Sequence, residues 1–161
     1  MKIYGYYNLG WFDDKFLIPT INYDGYRCVS TELTESYTLR GTLEKHIEIF
    51  RYYMLTRGSI VILSGMLSII LKKLNIPNFS LLIHGLSTTG KGLIEHVTLG
   101  LYGNPALTLR AWNKTSVGSE LFAVQNNGIP IVFDDIEQAG AEQYEKVINY
   151  LYEFSTGIGR V

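Results

Sequence analysis

Gly85, Gly90 and Lys91 stand in the spacing G-x-x-x-x-G-K, written out as Gly85-Leu86-Ser87-Thr88-Thr89-Gly90-Lys91 and followed by Gly92. A polyphosphate packs many anionic oxygens into a small volume and needs donors from several directions. Glycines let the backbone curl so that successive N–H groups converge. A helix that follows offers its N-terminus to the anion, and a lysine reaches the β and γ phosphates. The candidate cradle is therefore Gly85, Ser87, Thr88, Thr89, Gly90, Lys91 and Gly92, with Lys91 as its cation. The plain alternative is an ordinary glycine turn between a strand and a helix. The residue after the lysine normally carries a hydroxyl that ligates Mg²⁺, and Gly92 has no side chain. Phosphate binding should thus survive better than metal positioning or hydrolysis.

A second acidic feature lies downstream. Ile131-Val132-Phe133-Asp134-Asp135 is an apolar run ending in two carboxylates. In a Walker B element the first would hold the metal, here Asp134, and the second would polarise the attacking water, here Asp135. The alternative is a strand that leaves for solvent through two aspartates. Asn113 could contact a phosphate with Trp112 orienting it, Gln138 could orient water, and Arg160 could meet a neighbour's phosphate. Each has an ordinary reading as a turn, loop or tail residue.

These groups must be positioned by elements legible in the residue pattern. The stretch from Lys2 to Val29 is β-like, with runs Ile3–Tyr7, Phe16–Ile18 and Tyr26–Val29, turn signals at Asn8, Asp13-Asp14 and Asp24-Gly25, and the last of these a good two-residue hairpin signal. Thr42 caps a helix whose face is Leu43, Ile47, Phe50 and Met54. Ile60–Leu74 is apolar nearly all round and predicts a buried helix, with Ser64, Gly65 and Ser68 small enough for close contact. Phe79–His84 predicts a buried parallel strand before the glycine turn. Ile94, Val97 and Leu101 mark the helix after it, closed by Gly103-Asn104-Pro105. A strand over Ala106–Leu109, a short helix over Ser119–Val124 and a buried strand over Ile129–Phe133 follow. Tyr144, Val147, Ile148, Leu151 and Phe154 share one helical face. The expected organisation is a β-rich extension over 1–40, then a helical pair and an α/β core over 41–161.

Composition narrows the function. Of 161 residues, 47% are hydrophobic, as a globular chain requires. The net charge of −1 supplies no bulk basic field for nucleic acid, so DNA would need a local patch or an oligomer's channel. Cys28 is the only cysteine, which excludes an internal disulfide and a cysteine-cluster metal site. The three histidines lack metal-ligand spacing, and no catalytic Ser-His-Asp set stands out. Ser59–Leu71 is too short to cross a bilayer, so no membrane role is expected. With no secretory signal visible, the cytosol is the expected compartment.

The ordered series Leu9-Gly10-Trp11, Phe16-Leu-Ile-Pro19, Gly41-Thr-Leu-Glu44, Leu82-Ile-His-Gly85 to Gly90-Lys91, Tyr102-Gly-Asn-Pro105, Trp112-Asn113-Lys-Thr115, Asp134-Asp-Ile-Glu-Gln138 and Gly157-Ile-Gly-Arg160 resembles domain-of-unknown-function family 927. The resemblance implies an α/β, three-layer P-loop NTPase-like core, helicase-like in ancestry and associated with phage, plasmid and integrated elements. It implies ATP and Mg²⁺ as ligands and an oligomeric ring acting on DNA. Gly92 departs from the family's threonine. The family continues beyond Arg160 into a sensor strand that sits between the phosphate-loop strand and the acidic strand. The core is therefore expected to be incomplete: the two strands pair directly, leave a gap, or borrow a strand from a homo-oligomer or another protein. A degenerate, non-hydrolysing relative serving as an interaction module or inhibitor is the rival reading.

Overall fold

The computed structural model describes residues 2–86, 88–111, 116–134, 145, 147–149 and 151–152. Its elements run β1 (Tyr4–Tyr6), β2 (Gly10–Phe12), β3 (Lys15–Leu17), β4 (Tyr26–Cys28), α1 (Thr31–Ser36), α2 (Leu43–Met54), α3 (Gly58–Leu71), α4 (Lys91–Leu99), α5 (Pro105–Thr108), β5 (Arg110–Ala111), α6 (Ser116–Gln125) and β6 (Phe133–Asp134). The chain is a mixed α/β protein with three two-stranded sheets among the described residues.

The start of the chain is β-rich as expected, and of its turn signals it is Asp13-Asp14 that closes a hairpin. The antiparallel hairpin is β2–β3, closed at Asp13-Asp14, with Trp11 opposite Phe16. Asp13 takes a positive φ of 51°, which aspartate tolerates in tight turns. Asp24-Gly25 makes no hairpin. It leads into β4, which pairs parallel with β1 in the register Tyr4↔Tyr26. The expected strand over Ala106–Leu109 is instead helix α5. Asn104 caps it by accepting from the Ala106 N–H, and Pro105 fills the first turn. That local preference outweighs the weak β signal of a four-residue apolar run.

Thr42 caps α2 as its position predicts, its Oγ1 accepting from the Lys45 N–H at 3.4 Å. Ser30 caps α1 in the same way, an element the sequence reading missed. Helix α3 is less buried than an all-apolar sequence implied. Ile62 is fully buried, while Ile60, Leu63, Met66, Leu67 and Ile70 are exposed. Its small residues do make the close contact expected of them. A Cβ on Gly65 would come within 2.4 Å of Thr98 Cγ2, and one on Gly58 within 2.7 Å of Ile94 Cδ1, so α3 and α4 touch through these glycines.

The core joins the β-rich start to the remainder through Leu9, Phe16, Ile18, Leu33, Tyr37, Tyr102 and Ile129. Its polar members are satisfied internally. Tyr37 Oη donates to Asn126 Oδ1, Asn126 Nδ2 donates to the Phe122 carbonyl at 2.7 Å, and Tyr102 Oη donates to the Gly65 carbonyl at 2.5 Å. Burial pushes the Tyr37 and Tyr102 hydroxyls above the ordinary tyrosine range. Residues 1–40 and the remainder thus share one core. No helix among the described residues is long and apolar enough to cross a membrane.

Candidate functional site

The glycine loop is curled, and its own side chains hold the curl. Gly90 adopts φ 87°, a left-handed conformation that ends the loop at the residue just before α4. Thr88 also has a positive φ, 65°. Lys91, the first residue of α4, folds back over the loop. Its Nζ donates to the Gly85 carbonyl at 2.6 Å and the Leu86 carbonyl at 3.0 Å. Thr89 Oγ1 also donates to the Leu86 carbonyl, at 2.8 Å. A Cβ on Gly85 would lie 3.3 Å from Thr89 Oγ1 and 4.0 Å from Lys91 Cδ, so these residues meet in a small volume.

The first turn of α4 suits an anion. It holds no acidic residue, and Gly90 supplies no side-chain cap. The backbone donors that every helix N-terminus leaves unpaired are therefore uncapped by Gly90 and face no local carboxylate. Gly92 follows on the same turn, where a Cβ would meet nothing within 4 Å. Gly85, Thr88, Thr89, Gly90, Lys91 and Gly92 are thus brought together. Ser87 lies outside the described residues.

The segment leading into the loop differs from expectation. Phe79–His84 is not a strand: it joins no sheet among the described residues. Among its described residues the acidic segment is a strand over Phe133–Asp134. It pairs parallel with β5 in the register Arg110↔Phe133 and Ala111↔Asp134, and the Arg110 N–H donates to the Val132 carbonyl at 3.2 Å. Asp134 is exposed. Asp135, Trp112, Asn113, Gln138 and Arg160 lie outside the described residues. Of the C-terminal apolar face, Val147 is buried and Ile148 exposed, while Tyr144 and Phe154 also lie outside them.

A cavity of about 340 Å³ separates the two segments. Asn78–Ile83 forms one wall and Ile129–Phe133 another, while α3 and α4 contribute Gly65 and Thr98. Phe79–Ile83 leads toward the glycine loop and Ile129–Phe133 toward Asp134, so the flanks of both motifs border one space. The direct pairing considered from sequence does not occur. Glu95, one helical turn after Lys91, is a buried carboxylate on this cavity. Sequence reading missed it because the apolar markers around it, Ile94 and Val97, drew attention to their own face. A carboxylate at i+4 from the lysine, one position from an apolar marker, was the available signal. Among the described residues no three metal-ligating side chains cluster.

The family model described as Domain of unknown function (DUF927) matches residues 2–161, and the chain belongs to that family. No curated protein matches it.

Proposed function

We propose that this chain binds a nucleoside triphosphate through Gly85–Gly92, as an ATP-binding, helicase-like P-loop ATPase domain of a phage, plasmid or other mobile element. The observation that carries the reading is Lys91 at the head of α4, arched over its own loop with Nζ on the Gly85 and Leu86 carbonyls. A cation held above a curled backbone and an uncapped helix start is the chemistry a polyphosphate needs. On this reading Lys91 neutralises the β and γ phosphates, and the N–H groups of the loop and first turn bind phosphate oxygens. Asp134 holds Mg²⁺ directly or through water, and Asp135 orients the attacking water. The ion would supply charge neutralisation at the phosphates. DNA and a homo-oligomeric assembly belong to the same proposal.

Titration calorimetry with ATP, comparing the native chain and Lys91→Ala, tests it. Weaker binding by the variant supports the reading, and equal affinity refutes it. Gly92 favours a second reading, a chain that binds nucleotide without turning it over and serves as an interaction module. Phosphate release from Mg²⁺-ATP, with and without DNA, separates the two.

A further inference from the structure

Of the nine asparagines in the chain, Asn127 is the one that a glycine follows. Glycine has no side chain to shield its amide, and it reaches compact backbone conformations readily. Its nitrogen can therefore approach the side-chain amide of the residue before it. Asn127 is exposed, whereas Asn126 beside it is only 2% exposed. The Asn126 amide is also held at both ends, by Tyr37 Oη and by the Phe122 carbonyl. The two neighbours thus carry the same group in opposite environments.

Asn127 and Gly128 form the centre of a tight turn. The Ile129 N–H donates to the Asn126 carbonyl at 3.0 Å, and Gly128 takes a φ of 85°, as the third residue of a type II turn does. The turn joins α6 to Ile129–Phe133, the segment that leads to Asp134. Three neighbours fit closely against its backbone. A Cβ on Gly10 would come within 2.1 Å of the Asn127 carbonyl oxygen, and one on Gly128 within 3.2 Å of the Phe16 ring. Ser68 Oγ donates to the Gly128 carbonyl at 3.2 Å. A longer backbone at this point would push against the hairpin and α3 together, because close-packed neighbours yield little.

We propose that Asn127 is a site of spontaneous covalent modification, converted through a cyclic imide to isoaspartate, and that this product loosens the joint between the hairpin, α3 and α6. The Gly128 amide gives its proton to hydroxide, and its nitrogen attacks Asn127 Cγ. A bond from the Gly128 nitrogen to Cγ forms, the Cγ–Nδ2 bond breaks, and ammonia leaves with a proton taken from water. Water then opens the imide at either carbonyl, giving aspartate or isoaspartate. Overall one water is consumed and one ammonia released. In isoaspartate the main chain runs through Cγ, one methylene longer, between Asn126 and Ile129, which are both buried. Ring closure requires the turn to open, so the folded chain reacts more slowly than the unfolded one. The proposal is independent of nucleotide binding.

The full chain is kept in mildly alkaline buffer, and its peptides are followed by mass spectrometry with fragment ions that separate Asn126 from Asn127 and isoaspartate from aspartate. A second sample is kept unfolded in urea as the rate without the turn. In the folded chain Asn127 should convert at least about ten-fold faster than any other asparagine, a barrier difference of about 1.4 kcal/mol. Asn127→Gln, whose longer side chain would have to close a larger ring, should show no conversion at this position. The aged chain, with its isoaspartate content measured, should unfold at a lower urea concentration than the fresh one. Asn127→Asp, which adds the charge without the methylene, should unfold as the native chain does. No conversion at Asn127 over a period in which the urea-unfolded chain converts overturns the proposal, because the turn then protects the residue. So does equal conversion at another asparagine in the folded chain. An aged chain that unfolds with the fresh one, or a loss that Asn127→Asp reproduces, overturns the role given to the longer backbone.

Discussion

Lys91→Ala separates a lysine that binds phosphate from one that merely braces a turn. In the free protein Nζ holds two carbonyls, at 2.6 and 3.0 Å. Hydrogen bonds from a charged donor contribute about 1.5–3 kcal/mol when sheltered and less when wet. One of these bonds is half-buried and the other exposed, so losing both should cost about 1 kcal/mol of stability. Binding a triphosphate has Nζ exchange neutral carbonyls for anionic oxygens, which adds an ion–ion attraction of about 1 to 4 kcal/mol per close pair near a protein surface. Two such bonds, less the two given up, leave a net of about 2–3 kcal/mol. The variant should then bind ATP about 30- to 150-fold more weakly. Calorimetry reads the affinity, and urea unfolding without nucleotide reads the stability. A brace predicts the stability loss alone. If the variant loses about 1 kcal/mol of stability yet binds ATP within two-fold of the native chain, the phosphate role is refuted.

Other consequences are as direct. Gly92→Thr restores a hydroxyl where a Cβ meets only open space, so it should fold normally and raise the Mg²⁺-dependent rate of phosphate release by at least about ten-fold, the order of effect expected from positioning a metal. An unchanged rate would show that the missing hydroxyl is not what limits turnover. Gly65→Val places Cβ 2.4 Å from Thr98 Cγ2. Thr98 is anchored by its own bond to the Ile94 carbonyl, so the neighbour yields little and the cost should be about 1–3 kcal/mol in thermal or urea unfolding. A stabilised variant would contradict the close approach of α3 and α4. Burial raises the Tyr37 and Tyr102 hydroxyls. The unfolded chain loses these protons near pH 10 while the folded chain keeps them. Stability should hold up to about pH 9 and fall as pH rises above about 10. Tyr37→Phe should shallow that alkaline fall and cost about 1–3 kcal/mol at neutral pH, because Asn126 Oδ1 is left buried without its donor. Urea titrations at several pH values check both.

What the sequence made legible was local. The Thr42 cap depends on residues within one turn of each other, Thr42 and Lys45, and it lies where the pattern put it. The β1–β4 pair shows the opposite case. Asp24-Gly25 has the residues of a hairpin, yet Tyr26 pairs parallel with Tyr4, because strand choice depends on which face reaches the core and not on the turn alone. The exposure of Ile60, Met66 and Ile70 on α3 is likewise a matter of partners. An all-apolar helix specifies burial only when enough neighbours surround it. Phe79–His84 joins these two lessons. Its composition is that of a buried central strand, but a strand exists only when a neighbour accepts its hydrogen bonds, and the described chain offers a cavity on that side.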